Sequence, residues 1–172
     1  FHPVLFEDLV PRFGWVPQDG IVVRVLPPEE IKNLPLEQLI RHRTLLAHLI
    51  INRAVSHELV RHRVASYLQE SQRYCRYGEA RFGGEVVFVR PCFFKEGSDE
   101  YRLWLDAMSQ AEEIYLRLLK TSSPQAARTA LPNSCKTEIM VHATLEEWMH
   151  IMRLRTSKAA DPSMQEIMLA LL

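Results

Sequence analysis

Apolar and polar positions recur with different periods along the chain, and the changes of period mark its elements. Residues 21–26, Ile-Val-Val-Arg-Val-Leu, are short and β-branched and predict a strand closed by Pro27 and Pro28. Ahead of them, Pro3, Pro11, Pro17 and Gly14 break any long element, so residues 1–20 read as an irregular leader with at most a short helix. Residues 29–39 suit a helix or a turn-rich connection. Residues 44–52 are an apolar run of strand length whose Leu and Ala content also admits a helix. From Ala54 the spacing of Val55, Leu59 and Val60 predicts a helix running toward Arg63, and beyond Ser66 the pattern loosens. Gly78, Gly83 and Gly84 mark a turning segment before a strand expected at 85–90, which Pro91 stops.

The strongest helical signal runs from about Ser98 to Thr121. Ser98 is a good N-cap, Asp99 and Glu100 suit the positive end of a helix, and Leu103, Ala107, Ala111, Ile114 and Leu118 form a stripe at spacings of three and four. Pro124 opens a short helix through Ala130 that Pro132 ends. Residues 137–143 are strand-like, and 145–155 are helical, with Trp148, Ile151, Met152 and Arg155 at helical intervals. Asp161-Pro162 opens a final amphipathic helix. There is no internal repeat and no low-complexity tract.

With 172 residues and 47% hydrophobic content, the chain suffices for one domain over residues 1–172, or for a subunit that completes its core by assembly. A net charge of zero argues against a general nucleic-acid binder. The charge is uneven, however: residues 41–90 hold nine Arg, four Glu and no Lys, a preference that suits shaped recognition of phosphate. The longest apolar run, residues 45–51, is interrupted by His48 and falls short of a membrane span. Cys75, Cys92 and Cys135 are odd in number and widely spaced, which suggests reduced thiols in a cytoplasmic protein.

The candidate chemistry centres on residues 57–74. Arg61, His62 and Arg63 stand consecutively, and Ser66, Ser71, Arg73 and Tyr74 add donors, so a phosphorylated ligand is the natural reading. A solvated basic face beside a nucleic-acid or acidic partner is the alternative. The cluster falls near a helix C-terminus, whose dipole repels anions, so the arginines must supply the attraction. His57 and His62 are five residues apart and point about 140° away from each other at 3.6 residues per turn, which rules out the two-histidine zinc pattern, and no metal is expected. No Walker loop, dinucleotide fingerprint or nucleophile elbow occurs, and Ser71 has no local base, so it reads as a hydrogen-bonding serine. Arg128, Arg155, His42 and His150 are isolated polar residues that individually suggest nothing.

Together they form a pattern. Arg61-His62-Arg63, seven residues and then Ser71 resembles the RHRx7S signature of the flavin-dependent thymidylate synthases. The words around it match as well: residues 52–60 before it, 69–75 within and after it, Leu131-Pro132-Asn133-Ser134, and residues 153–160. The resemblance runs from about residue 40 to the end, while the first 35 residues match poorly. It implies an α+β subunit with a central, mostly antiparallel sheet flanked by helices, working as a homotetramer whose active sites lie where subunits meet. The implied activity is reductive methylation of dUMP to dTMP, with FAD as cofactor and NADPH and 5,10-methylenetetrahydrofolate as co-substrates, and with no cysteine nucleophile. By motif, His42, Arg61, His62, Arg63 and His150 resemble the flavin-binding residues. Glu58, Arg61, Gln69, Glu70, Ser71, Arg73, Arg128 and Arg155 resemble those around dUMP, with Arg155 and Ser71 as the catalytic residues. The chain departs from the pattern at Thr144 and Glu146, where relatives commonly have Asn and Arg, at Asp161 in place of a His, and at Leu68. These departures leave a flavin- or nucleotide-binding homologue of altered activity, or an enzyme acting on a related pyrimidine nucleotide, as alternatives. Partners expected are therefore dUMP and further copies of the chain, with neither nucleic acid nor membrane.

Overall fold

The computed structural model describes residues 28–172; the leader at 1–20 and the strand expected at 21–26 lie outside the described residues. Two helices, α1 (Pro28–Lys32) and α2 (Leu36–His42), lead into strand β1 (Thr44–Asn52), resolving the strand-or-helix ambiguity of that run in favour of strand. Helix α3 (Arg53–Leu59) follows directly, then β2 (Ala65–Gln69). The long helix α4 (Asp99–Leu119) is succeeded by the short α5 (Pro124–Ala127), the central strand β3 (Lys136–Thr144), and helices α6 (Leu145–Arg155) and α7 (Pro162–Leu171). Single 3-10 turns lie at Ala80–Phe82 and Arg128–Ala130. Among the described residues the architecture is α+β, built on a three-stranded antiparallel sheet of order β1-β3-β2.

The sheet has one covered face. Thr137, Ile139, Val141 and Ala143 alternate inward along β3, and Leu49 and Ile51 of β1 join them. Against this face pack Val55 and Leu59 of α3, Trp148 and Ile151 of α6, and Met164 and Met168 of α7. The opposite face carries Leu46, Ile50 and Leu68, all more than half exposed. Hydrogen bonds lock the helices to the strand ends: Leu145 N–H donates to the Arg43 carbonyl at 2.9 Å, and Trp148 Nε1–H to the Leu45 carbonyl at 3.2 Å. A second cluster of Tyr77, Val86, Tyr115, Ala127 and Cys135 fastens α4 to the sheet.

Three expectations are corrected. Residues 65–69 form a strand although their pattern loosens, because Tyr67 and Gln69 turn inward while Leu68 turns out. Residues 85–90 make no strand, only one isolated bridge between Phe88 and Cys135. The packed face of α4 is Trp104, Met108, Ala111, Tyr115 and Leu118, whereas Leu103 and Ile114 of the expected stripe are 72% and 48% exposed. Both sets repeat every three or four residues, and the aromatic set wins because it buries the larger surface. The glycine segment turns as expected, with Gly83 at φ 99° and Gly84 at φ 78°, a region that residues with a Cβ rarely adopt.

This core makes a direct prediction. Ile139→Ala, at a fully buried position, lowers unfolding stability by about 2–5 kcal/mol in a urea titration, whereas Leu103→Ala stays within about 0.5 kcal/mol.

Candidate functional site

The predicted site residues fall into two groups. The first lines a polar cavity of about 430 Å³ that brings Gln69, Ser71 and Arg128 together as expected and adds Arg53, His57 and Gln72. Its walls follow from the way α3 begins. Asn52 caps the helix by accepting from Val55 N–H at 2.8 Å, and the N–H groups of Arg53 and Ala54 donate to the carbonyls of Cys135 and Asn133 at 3.0 and 3.2 Å. That fixes the Leu131-Pro132-Asn133 wall against α3. The wall carrying Ser71 is held from behind: Gln69 Nε2 donates to Ser56 Oγ at 2.9 Å and to Thr137 Oγ1 at 3.2 Å, and both hydroxyls are buried. Tyr74 and Cys75 N–H groups fold back onto the Ser71 carbonyl, closing a turn.

Glu70 borders this cavity, but its carboxylate faces a second one of about 330 Å³. There Oε1 accepts from the Tyr77 hydroxyl at 2.5 Å and Oε2 from Lys136 Nζ at 3.3 Å. Lys136 also bonds Glu138, which reaches His48 at 3.2 Å. Burial opposes the Lys136 charge, but the Glu138 and Glu70 carboxylates outweigh it and raise its pKa. Burial, with the Glu70 carboxylate beside it, holds the Tyr77 hydroxyl protonated. Cys135 is pushed up to about 12 by burial, and Cys75 is also raised. Neither thiol is activated as a nucleophile, and all three cysteines are free.

The second group gathers at the C-terminal ends of α3 and α6. Arg155 Nη1 donates to Glu58 Oε2 at 2.8 Å, its Nη2 to the Glu58 carbonyl at 3.3 Å, and its Nε to His62 Nε2 at 2.9 Å. His62 must therefore accept at Nε2 and carry its proton on Nδ1, which faces Glu147 at 3.8 Å. Burial lowers the His62 pKa, and the Arg155 and His150 charges lower it further. The Tyr67 hydroxyl braces the turn, donating toward the carbonyls of Leu59 and His62 at 2.8 and 2.6 Å. Burial and the nearby Glu147 push its pKa to about 12. His150 packs edge-on to His62 with ring centroids 6.0 Å apart.

The Arg61-His62-Arg63 string is thus split. His62 is only 7% exposed and turned inward, while Arg61 and Arg63 face out. Arg61, Arg63, Arg73 and Arg128 form no ion pair among the described residues, so their charge is available to an anion. Such exposed, uncompensated guanidinium groups flanking a helix end are a donor set that fits a diphosphate. His42 ends α2 immediately before β1. Arg73 lies over the Tyr74 ring at 5.4 Å, and neither it nor Arg155 lines the Ser71 cavity.

His62, Glu147 and His150 could be taken for metal ligands, since their ligating atoms lie within 4.8 Å of one another. The Arg155 donor argues otherwise: it demands the lone pair on Nε2, which leaves Nδ1 protonated where a metal would need it bare. The departures from the family pattern are also accounted for locally. Thr144 caps α6 by accepting from Glu147 N–H at 3.2 Å, Glu146 sits in that helix's first turn, and Asp161 caps α7 by accepting from Ser163 N–H at 2.9 Å.

The fold and the two groups define an α+β protein with a cation-lined polar pocket suited to an anionic ligand. Residues 35–172 match the family model described as "Thymidylate synthase complementing protein". The chain is 34% identical over 134 residues to the flavin-dependent thymidylate synthase of Pyrococcus abyssi, covering 73% of this chain and 54% of that protein. It is 33% identical over 144 residues to that of Pyrococcus furiosus, covering 79% and 58%. For the Corynebacterium aurimucosum protein of the same name the figures are 33% over 148 residues, 76% and 57%. The chain belongs to the flavin-dependent thymidylate synthase family, and it spans about half the length of the curated relatives it matches. No helix among the described residues is long and apolar enough to cross a membrane.

His62 gives this arrangement a pH signature. Its folded pKa lies below the ordinary 6.5, so the stability it contributes is full above that value and is lost as pH falls through the depressed folded value. His62→Gln keeps an acceptor for Arg155 and cannot be protonated, so the variant loses less stability than the parent between pH 7 and pH 5. Urea midpoints across that range check it, and parallel curves would contradict it.

Proposed function

We propose that the chain binds dUMP and FAD and catalyses reductive methylation of dUMP to dTMP, taking carbon from 5,10-methylenetetrahydrofolate and reducing equivalents from NADPH. The observation that carries this reading is the Ser71 cavity. Among the described residues, the donors Arg53 Nε and Gln72 Nε2 lie buried in residues that line it with no acceptor, beside Arg128, which forms no ion pair there. Orphaned donors next to uncompensated cations suit a ligand that combines phosphate with carbonyl oxygens. In this reading Gln69, Ser71, Arg73 and Arg128 hold the nucleotide, and Glu70 shapes the wall from behind. Arg61, Arg63, His42 and His150 hold FAD, and His62 supports them from within.

Glu58 and His62 fix the Arg155 guanidinium in one orientation. An oriented cation beside the pyrimidine stabilises negative charge that develops on the ring without itself transferring a proton. When bound, the flavin supplies the hydride chemistry. One copy keeps Arg155 out of the Ser71 cavity, which supports a homotetramer in which Glu58, Arg61 and Arg155 of one copy face Ser71 and Arg128 of another. That Thr144 and Asp161 serve as helix caps supports the second reading, a nucleotide-binding homologue with weakened flavin binding.

The visible spectrum separates the two. A yellow protein whose reduced flavin is reoxidised on adding dUMP with methylenetetrahydrofolate supports the synthase, whereas a colourless protein that takes up no FAD overturns it. Within the same framework, Arg128→Ala weakens dUMP binding roughly tenfold or more, the loss of a charge-assisted contact, with flavin content unchanged. Equal loss of both ligands would mean that Arg128 has been placed in the wrong pocket.

A further inference from the structure

Strand β2 ends at Gln69, and residues 70–76 run on outside any helix or strand while carrying Ser71, Gln72 and Arg73. The turn within them is held by bonds to itself: Tyr74 and Cys75 N–H donate to the Ser71 carbonyl at 3.1 and 3.0 Å. Such bonds shape a turn without fixing it to the rest of the molecule. Glu70 supplies the attachment. Its N–H donates to the Glu138 carbonyl at 2.9 Å, one step beyond the paired residues of β2, and its carbonyl accepts from Arg53 Nη2 at 2.9 Å. Its carboxylate accepts from the Tyr77 hydroxyl at 2.5 Å and from Lys136 Nζ at 3.3 Å. Tyr77 stands where the chain returns from the turn, buried, with its own N–H donating to the Tyr115 hydroxyl of α4 at 3.3 Å. The Tyr77–Glu70 bond therefore joins the two ends of the segment, and Lys136 ties that clasp to β3.

The two donors of the clasp sit away from the ligand side. Tyr77 and Lys136 line the 330 Å³ cavity and not the one around Ser71, whereas Glu70 lines both. Anything they do for the Ser71 cavity therefore passes through Glu70. Joining the ends of a short segment removes open conformations that compete with the binding one, so a ligand in the Ser71 cavity meets a turn already in place. We propose that Tyr77 and Lys136 are positioning residues, which hold the Ser71 turn in its binding geometry by clasping Glu70 from behind. Both lie outside the stretches that match the family, 69–75 and 131–134 among them. The inference rests on the nucleotide reading of the Ser71 cavity for its consequence, while the clasp can be judged with no ligand present. General support of the fold by two half-buried polar side chains is the competing role.

Two measurements on the purified full chain separate these roles. Brief trypsin treatment, read by mass spectrometry, compares cleavage after the exposed Arg73 in the turn with cleavage after the exposed Arg63 outside it, and equilibrium dialysis gives the affinity for labelled dUMP. Tyr77→Phe removes one hydroxyl at constant shape, Lys136→Met removes the charge, Lys136→Arg keeps it, and circular dichroism reports whether each variant folds. The expected result for Tyr77→Phe is a roughly tenfold rise in the Arg73-to-Arg63 cleavage ratio and a roughly fivefold or greater loss of dUMP affinity, as for the loss of a hydrogen bond to a charged group. Lys136→Met moves both in the same direction and Lys136→Arg restores them. In a Glu70→Ala background, Tyr77→Phe changes either quantity by less than about twofold, because its partner is already gone. An unchanged cleavage ratio in the folded Tyr77→Phe variant, or equal effects of Tyr77→Phe with and without the Glu70 carboxylate, overturns the clasp and leaves the nucleotide reading intact. A loosened turn with unchanged dUMP affinity overturns the positioning role, and a parent chain that binds no dUMP overturns that role together with the nucleotide reading.

Discussion

Strand β3 is the constraint on which the molecule depends. It pairs antiparallel with β1 on one side and β2 on the other, so two strands more than 60 residues away in sequence are joined into one sheet through it. Its inward residues Thr137, Ile139, Val141 and Ala143 form the floor on which α3, α6 and α7 rest. The segments flanking it position the candidate site. Residues 131–135 ahead of it clamp the start of α3, and α6 after it delivers Arg155 to Glu58 and His62. Losing the register of this strand would displace both functional groups at once.

Polar burial is what converts the packed sheet into a site. Gln69 points inward from β2, where an apolar residue is the usual occupant, and its amide is matched by Ser56 and Thr137. This fixes the residue two positions before Ser71 to two separate elements. At the other end of α3, a chain of bonds from Tyr67 to the 59–62 turn and from Arg155 to His62 and Glu58 holds a charged side chain in one pose. Sites need such rigidity, because misplacing a reacting group by an ångström costs large factors in rate.

Much of this was legible in the sequence. The signature string, the late helix and the capping residues Ser98 and Asp161 stand where local chemistry puts them. Strand β2 was not legible, since Leu68 faces out and Gln69 faces in, the inverse of the pattern that announces a half-buried strand. The phase of α4 was ambiguous for a similar reason: two stripes share its period, and only the partner surface around Tyr77 and Val86 selects the aromatic one. For the candidate site, the resemblance to the family's motifs, and not residue type alone, pointed to Ser71, Arg128 and Arg155; their partition between two groups depends on tertiary contacts. Arg53, His57 and Gln72 fall within the matched stretches 52–60 and 69–75 but were not singled out there, because an unmatched donor is visible only once its neighbours are in place.

In the homotetramer proposed above, the Ser71 cavity and the Arg155 cluster of one chain serve different active sites, each completed by another copy. Mixed assembly tests this most directly. Chains carrying Ser71→Ala and chains carrying Arg155→Ala are each purified alone, then co-expressed with different tags and recovered as mixed oligomers. The expected result is that either variant alone forms almost no dTMP, while the mixed oligomers, some of whose sites have both residues intact, regain a measurable share of the parent rate. Mixed oligomers as inactive as the separate variants, from a parent chain that is active, would contradict the account.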